Sequence, residues 1–189
     1  MKLFKVLGFA TLLAAAVVTS RPVFAADAGG DEIVVLAKHT EPKPDDPVHL
    51  HFERFKVTKA KIDAKKIEAS TATIEIDTTS LKSGSDKRDA HLQTPDFLDG
   101  KKFATITIGV ANVKLKAGKT YTADATVKFR DVTKKYPVTF DVVDAKDNWI
   151  KIKGETAFSR LDFNVGGSDA KAPVQPELVI QLALTLKTT

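Results

Sequence analysis

Along most of this chain apolar and polar residues alternate one by one. Val48, Leu50 and Phe52 interleave with His49, His51 and Glu53. Ala72, Ile74 and Ile76 alternate with Thr71, Thr73, Glu75 and Asp77, and Ile106, Ile108 and Val110 with Thr105, Thr107 and Gly109. The same period carries Ala123, Ala125, Val127 and Phe129, then Tyr136, Val138, Phe140 and Val142, and finally Leu178, Ile180, Leu182, Leu184 and Leu186. A period of two puts successive side chains on opposite faces of a strand, so each run predicts a strand with one apolar face. Val113 and Leu115 restart the pattern on odd positions, and the slip near Ala111-Asn112 predicts a β-bulge. Lys116-Ala117-Gly118-Lys119 reads as a hairpin turn and Asp144 to Asn148 as another. Trp149 to Lys153 and Thr156 to Arg160 read as two shorter strands around Gly154.

About eight half-apolar strands joined by short turns predict an all-β antiparallel barrel or sandwich. One segment breaks the alternation. Ser85 is placed to cap a short helix over Asp86 to Gln93, Asp86 puts negative charge near its N-terminus, and Pro95 stops it. A helix between two strands can plug the end of a barrel, which favours the barrel over the sandwich.

The N-terminal region obeys different rules. Lys2 and Lys5 precede an apolar run from Leu7 to Val18, and Val23-Phe24-Ala25 offers a cleavage site before Ala26. Residues 1–25 therefore read as a signal peptide, which predicts a periplasmic or secreted protein. The run is shorter than the roughly 20 residues a membrane-spanning helix needs, so no stable membrane insertion is expected. Residues 26–47 read as an extended N-terminal segment with a short apolar run, Ile33 to Ala37, and a connector carrying Pro42, Pro44 and Pro47. Residues 48–189 form the expected barrel domain. Net charge is +5, and losing Lys2, Lys5 and Arg21 with the leader reduces it to +2. Basic and acidic residues are interspersed, so no nucleic-acid partner is expected. The chain has no cysteine, which excludes thiol catalysis, cysteine–zinc sites and disulfides.

Three patterns invite a chemical reading. His49, His51 and Glu53 project to one face of a strand, as metal ligands would. Val48, Leu50 and Phe52 claim the core side, so the histidines are expected in solvent and no metal is expected. Arg88-Asp89-Ala90-His91 with Asp96 and Asp99 resembles an acid–base cluster. No nucleophile motif accompanies it, and pinning the helix to the barrel explains the same residues, with Arg88 and His91 as anchors or headgroup contacts. Gly166-Gly167 lacks the following helix of a phosphate cradle, because Pro173 and Pro176 deny it, and reads as a flexible loop. Among residues read as inward, Ala72, Ala123, Ala125 and Ala157 are slim and Phe129, Phe140 and Phe158 bulky. That mixture leaves a packed core and a ligand cavity both open.

Lys87-Arg88-Asp89-Ala90-His91-Leu92, then Asp96-Phe97-Leu98-Asp99, then Phe103 to Ile108 follow Asp77 in an order that resembles the YceI-like family of exported, lipocalin-like proteins. Val132-Thr133-Lys134, Pro137 to Phe140 and Ser159-Arg160-Leu161-Asp162-Phe163 extend the resemblance over about residues 55 to 187. Departures are Ala104 in place of proline, Arg130-Asp131 in place of His-Gly, Asn164 in place of glycine, and no clean counterpart of the family's first strand. The resemblance implies a lipocalin-like barrel of about eight strands with one short helix, holding a long isoprenoid lipid such as a quinone or polyprenyl chain. No catalytic residue and no cofactor besides such a lipid are expected. The expected ligand-binding residues are Ile74, Ile76, Ile106, Ile108, Ala125, Val127, Phe129, Val138, Phe140, Phe158, Leu182 and Leu184. The alternative is a filled barrel serving as an interaction or stress-protection module without a lipid. Oligomeric state stays open, with a dimer one option.

Overall fold

The computed structural model describes residues 30–40, 47–167 and 174–188. The expected leader, residues 1–25, lies outside them. The elements are β1 (Glu32–His39), β2 (Val48–Phe52), β3 (Phe55–Lys61), β4 (Thr71–Asp77), β5 (Leu81–Lys82), α1 (Asp86–Leu92), β6 (Thr105–Ala117), β7 (Thr120–Phe129), β8 (Val132–Lys146), β9 (Trp149–Ser159) and β10 (Val174–Lys187). All ten strands form one sheet in the order β3-β4-β6-β7-β8-β9-β10-β1-β2-β5, and every pairing is antiparallel.

Ten segments amount to eight long strands. Only Glu53 and Arg54 separate β2 from β3, and only the 3-10 turn Thr78–Ser80 separates β4 from β5. Because β2 pairs with β5 and β3 with β4, these are two long strands bent together at one corner. The two ends of the sheet are therefore joined covalently there, and the sheet curls into a barrel. At the far end of β3, Ile62 N donates to Thr188 Oγ1 at 3.0 Å, tying it to the end of β10.

The corner is held by polar groups with no room for error. Thr78 and Ser80 are 0% and 1% exposed. Thr78 Oγ1 donates to Phe103 O at 2.8 Å and Ser80 Oγ to Asp77 O at 2.7 Å. An unpaired buried hydroxyl here would cost about 1–3 kcal/mol. Asp77 caps the 3-10 turn by accepting from Thr79 N at 2.8 Å, while Arg54 Nε donates to its other oxygen at 2.9 Å.

Several local expectations meet the structure directly. The register slips after Ala111 and Asn112 adopts φ 56°, the bulge that moves Val113 into the core. Gly118, at φ 55°, turns β6 into β7. Asp147, at φ 43°, turns β8 into β9, later than expected, because β8 continues to Lys146. The two short strands around Gly154 are one continuous strand. Gly154 is buried within it, and a Cβ there would lie 3.0 Å from Phe140 Cβ and 3.0 Å from Thr139 O. Its glycine marks close approach of a neighbouring backbone rather than a break. Ala157 faces outward, because Phe158 takes the inward position beside it. Within the segment read as an N-terminal extension, β1 is hydrogen-bonded to β10 on one side and β2 on the other, so the sheet begins at Glu32.

The helix buries none of its own residues. Ser85 occupies the N-cap position but makes no capping bond with its side chain. Asp89 anchors the turn instead, accepting from Ser83 N at 2.8 Å and Ser83 Oγ at 2.6 Å. The Ser83 hydroxyl, then its amide and Lys82, hold the Asp89 carboxyl below the usual carboxylate range.

Candidate functional site

The inward faces of the strands do not meet. They enclose an apolar cavity of about 380 Å³ that runs from α1 and Phe97 at one end to Ile62 and Leu186 at the other. This lies within the range of roughly 300–1,000 Å³ typical of small-ligand sites. All twelve apolar residues expected to bind a ligand line it, on strands β4, β6, β7, β8, β9 and β10. Period-two alternation is the reason: a strand that keeps its phase keeps every second side chain on the same wall. Slim residues make the room. Ala72 and Ala125 line the wall, while Phe140 and Thr139 take up the space beside Gly154.

Sequence reasoning missed other parts of the wall. Ile33, Val35 and Ala37 line the cavity from β1, and Ile150 and Ile152 from β9. The alternation of Ile150 with Lys151, and of Ile152 with Lys153, carried that signal. Tyr136, Phe158 and Phe129 surround Phe163, with ring centroids 6.1 to 6.3 Å from it. Phe163 is 2% exposed and comes from the 3-10 turn Arg160–Phe163, so this aromatic cluster packs one end of the barrel.

That end is also where α1 lies. Arg88 and His91 line the cavity there, and the His91 ring sits 4.9 Å from Phe97. The stronger tethers are other arginines. Arg130 donates to Pro95 O at 2.9 Å and to the carbonyls of Phe97 and Asn164, and its guanidinium lies 5.2 Å from the Phe103 ring. Arg160 is 4% exposed and donates to the carbonyls of Val165, Gly167, Val174 and Gln175 at 2.6 to 3.2 Å. The Gly166-Gly167 loop is accordingly held rather than free. Gly166 N donates to Asp96 O at 2.6 Å, and a Cβ there would press on Phe97.

Tyr136 donates its hydroxyl to Asp162 Oδ2 at 2.8 Å, and Lys134 Nζ lies 3.5 Å from Oδ1 of the same carboxylate. Burial first, then the Asp162 carboxylate, raises the Tyr136 phenol well above its ordinary value. The hydroxyl therefore stays protonated and donating across the physiological range. His49 and His51 point outward with ring centroids 6.4 Å apart, while Leu50 and Phe52 enter the core. Among the described residues no cluster of histidine, aspartate and glutamate forms a metal site. No helix among them is long and apolar enough to cross a membrane.

An antiparallel barrel around an elongated apolar void defines the class: a lipocalin-like, all-β protein. A YceI-like domain matches residues 24–186, and the chain belongs to that family. It is 34% identical over 112 residues to a UPF0312 protein of Pseudomonas fluorescens, covering 56% of this chain and 57% of the relative. It is 29% identical over 124 residues to one of Vibrio vulnificus, covering 63% and 66%. These matches thus span 57% and 66% of the curated relatives' length. Among solved structures, BcnA of Burkholderia cenocepacia superposes with a TM-score of 0.74 at 19% identity, over 83% of this chain and 96% of that one. A polyisoprenoid binding domain from Saccharophagus degradans superposes with 0.64 at 12% identity, over 84% and 94%. At such identities the likeness is one of fold.

Proposed function

We propose that this protein is an exported carrier that sequesters a long-chain isoprenoid, a quinone or polyprenyl lipid, in the barrel cavity. The observation that carries the reading is the extent and apolar lining of the void, whose wall runs from the α1 end to Leu186. Each CH₂ of a chain moved from water into such a space gains about 0.8 kcal/mol, so a few isoprene units outweigh the cost of association. Tyr136 and the α1 residues Arg88 and His91 supply polar contacts at one end, suited to orienting a headgroup rather than to catalysis. The name of the Saccharophagus degradans domain, a polyisoprenoid binder, supports the same ligand class. The apolar leader-like segment supports export. A filled barrel acting as an interaction module would lack the void.

Native mass spectrometry of the full chain, purified from the compartment to which its leader sends it, tests the reading. A co-purifying polyisoprenoid is the expected result. Ligand-free protein that also takes up no long-chain quinone from detergent micelles overturns it.

A further inference from the structure

The barrel wall is not continuous. The ladder between β8 and β9 pairs Lys146 with Trp149 and ends at Thr139 with Glu155. Both strands run on past that point, β8 back to Val132 and β9 on to Ser159. Each keeps its other partner there: β8 pairs with β7 from Asp141 to Val132, and β9 with β10 out to Ser159. Over Val132–Val138 and Thr156–Ser159 the two strands thus face each other with no ladder between them.

Three features show that this is a built interruption. Thr156 Oγ1 donates to Pro137 O at 3.5 Å, so the polar edge of Pro137 faces β9. In an antiparallel strand the N–H and C=O of one residue point the same way, and at Pro137 the donor that would continue the ladder is missing. Second, the cavity touches Thr139 and Glu155, although both occupy outward positions on their strands. They form the last pair of the β8–β9 ladder, so the cavity reaches the wall where the pairing stops. Third, the gap is crossed by side chains: Tyr136 and Lys134 of β8 meet Asp162, which follows β9.

We propose that the unpaired halves of β8 and β9 form a side entrance through which a long apolar chain reaches the cavity, latched by Tyr136 and Lys134 on Asp162. This rests on the lipid-binding reading. A sideways entrance lets a chain slip in along its length, whereas entry at the α1 end requires the Arg130-held cap to lift. Opening the gap breaks the side-chain contacts and no backbone ladder.

The absence of native cysteine permits a clean test. Lys135→Cys with Ala157→Cys places one thiol on each lip and leaves Pro137 in place, and a bis-methanethiosulfonate linker bridges them until dithiothreitol releases it. A control pair, Lys128→Cys with Thr133→Cys, bridges two residues already paired in the continuous β7–β8 ladder. The probe is a benzoquinone with an eight-isoprene tail, delivered in detergent micelles. The lip bridge is expected to slow uptake and release together by about tenfold, reversibly, with the control bridge inert. Asp162→Asn is expected to speed both. Unchanged rates in the lip-bridged protein overturn the side entrance and leave lipid binding standing. If the unbridged protein takes up no quinone, the lipid reading fails and the entrance with it. Hydrogen exchange reads the gap without ligand: the Lys135 and Ala157 amides, which face the gap, being as protected as that of Asp141 in the ladder would overturn it.

Discussion

Asp77 shows how much of this fold hangs on single polar side chains. The Thr79 hydroxyl, then the Thr79 amide and the Arg54 guanidinium, hold its carboxyl below the usual carboxylate range of about 3.8. A carboxyl lowered in the folded state adds stability above its unfolded pKa and loses it as pH falls through its folded value. Its side chain is 38% exposed, so solvent screens the Arg54 pair, and such pairs give no more than about 1 kcal/mol. The cap is the larger contribution. Asp77→Ala is expected to lower stability by about 1–2 kcal/mol in denaturant unfolding at pH 7. The deficit relative to the unsubstituted protein should stay level down to about pH 5 and shrink below pH 4. Arg130 poses the opposite question, because it occupies φ 52°, where a side chain costs roughly 1–2 kcal/mol. Its three hydrogen bonds to the carbonyls of Pro95, Phe97 and Asn164, largely exposed to solvent, contribute on the order of 1 kcal/mol each, so the tether outweighs the strain. Arg130→Gly should therefore destabilise, by about 1–2 kcal/mol net, and raise hydrogen exchange at Phe97 and Leu98. Asn164, which stands where glycine is usual, sits at φ 54° and ends its 3-10 turn in the left-handed region that asparagine tolerates. Both departures were visible as letters in the sequence. Their backbone consequences were not, because a tether is defined by carbonyls from distant segments.

At the scale of elements, alternation revealed what stays in phase and hid what does not. Around the expected ligand-binding residues of β4, β6, β7, β8 and β10 the strands keep period two, so these strands and their apolar faces were legible, and β6 changes phase only beyond them, at Asn112. The corner that bends β2 into β3 and β4 into β5 has no period of its own. It depends on Arg54 meeting Asp77 across the fold, and the eight long strands consequently present as ten segments. β9 was misread because glycine inside a strand and glycine at a break look alike in sequence. Packing separates them: Phe140 and Thr139 occupy the space a Gly154 side chain would need. Gly154→Val is expected to cost about 1–3 kcal/mol through overpacking. It should also narrow the cavity where the β8–β9 ladder ends. Thermal unfolding reads the first effect and quinone uptake the second, and loss of stability with unaltered uptake would separate Gly154 from the cavity's access.

The whole molecule resolves the ambiguity that composition left between a packed and a hollow barrel. The aromatic side chains of Phe129, Tyr136, Phe158 and Phe163 gather at one end, and slim residues stand opposite bulky ones across the ladders, Ala125 beside Tyr136 and Gly154 beside Phe140. The inward side chains nonetheless leave about 380 Å³ unfilled. A void without an occupant is a liability, since unfilled core space costs about 24 cal/mol per Å³. Filling it from within should therefore separate folding from binding. Ala125 is 4% exposed and lines the cavity between Val110 of β6 and Tyr136 of β8. Ala125→Trp places an indole in the void. The expected outcome is a folded protein whose stability changes by no more than about 2 kcal/mol, because space is available for the ring. Long-chain quinone affinity should fall by about tenfold or more, as the chain and the indole compete for one space. Titration of the eight-isoprene quinone against both proteins, beside their unfolding curves, makes the comparison. A destabilised variant with undiminished affinity would place the ligand elsewhere on the barrel. A stable variant that has lost the ligand would assign binding to the space between the Phe163 cluster and Leu186, the space the alternating strands enclose.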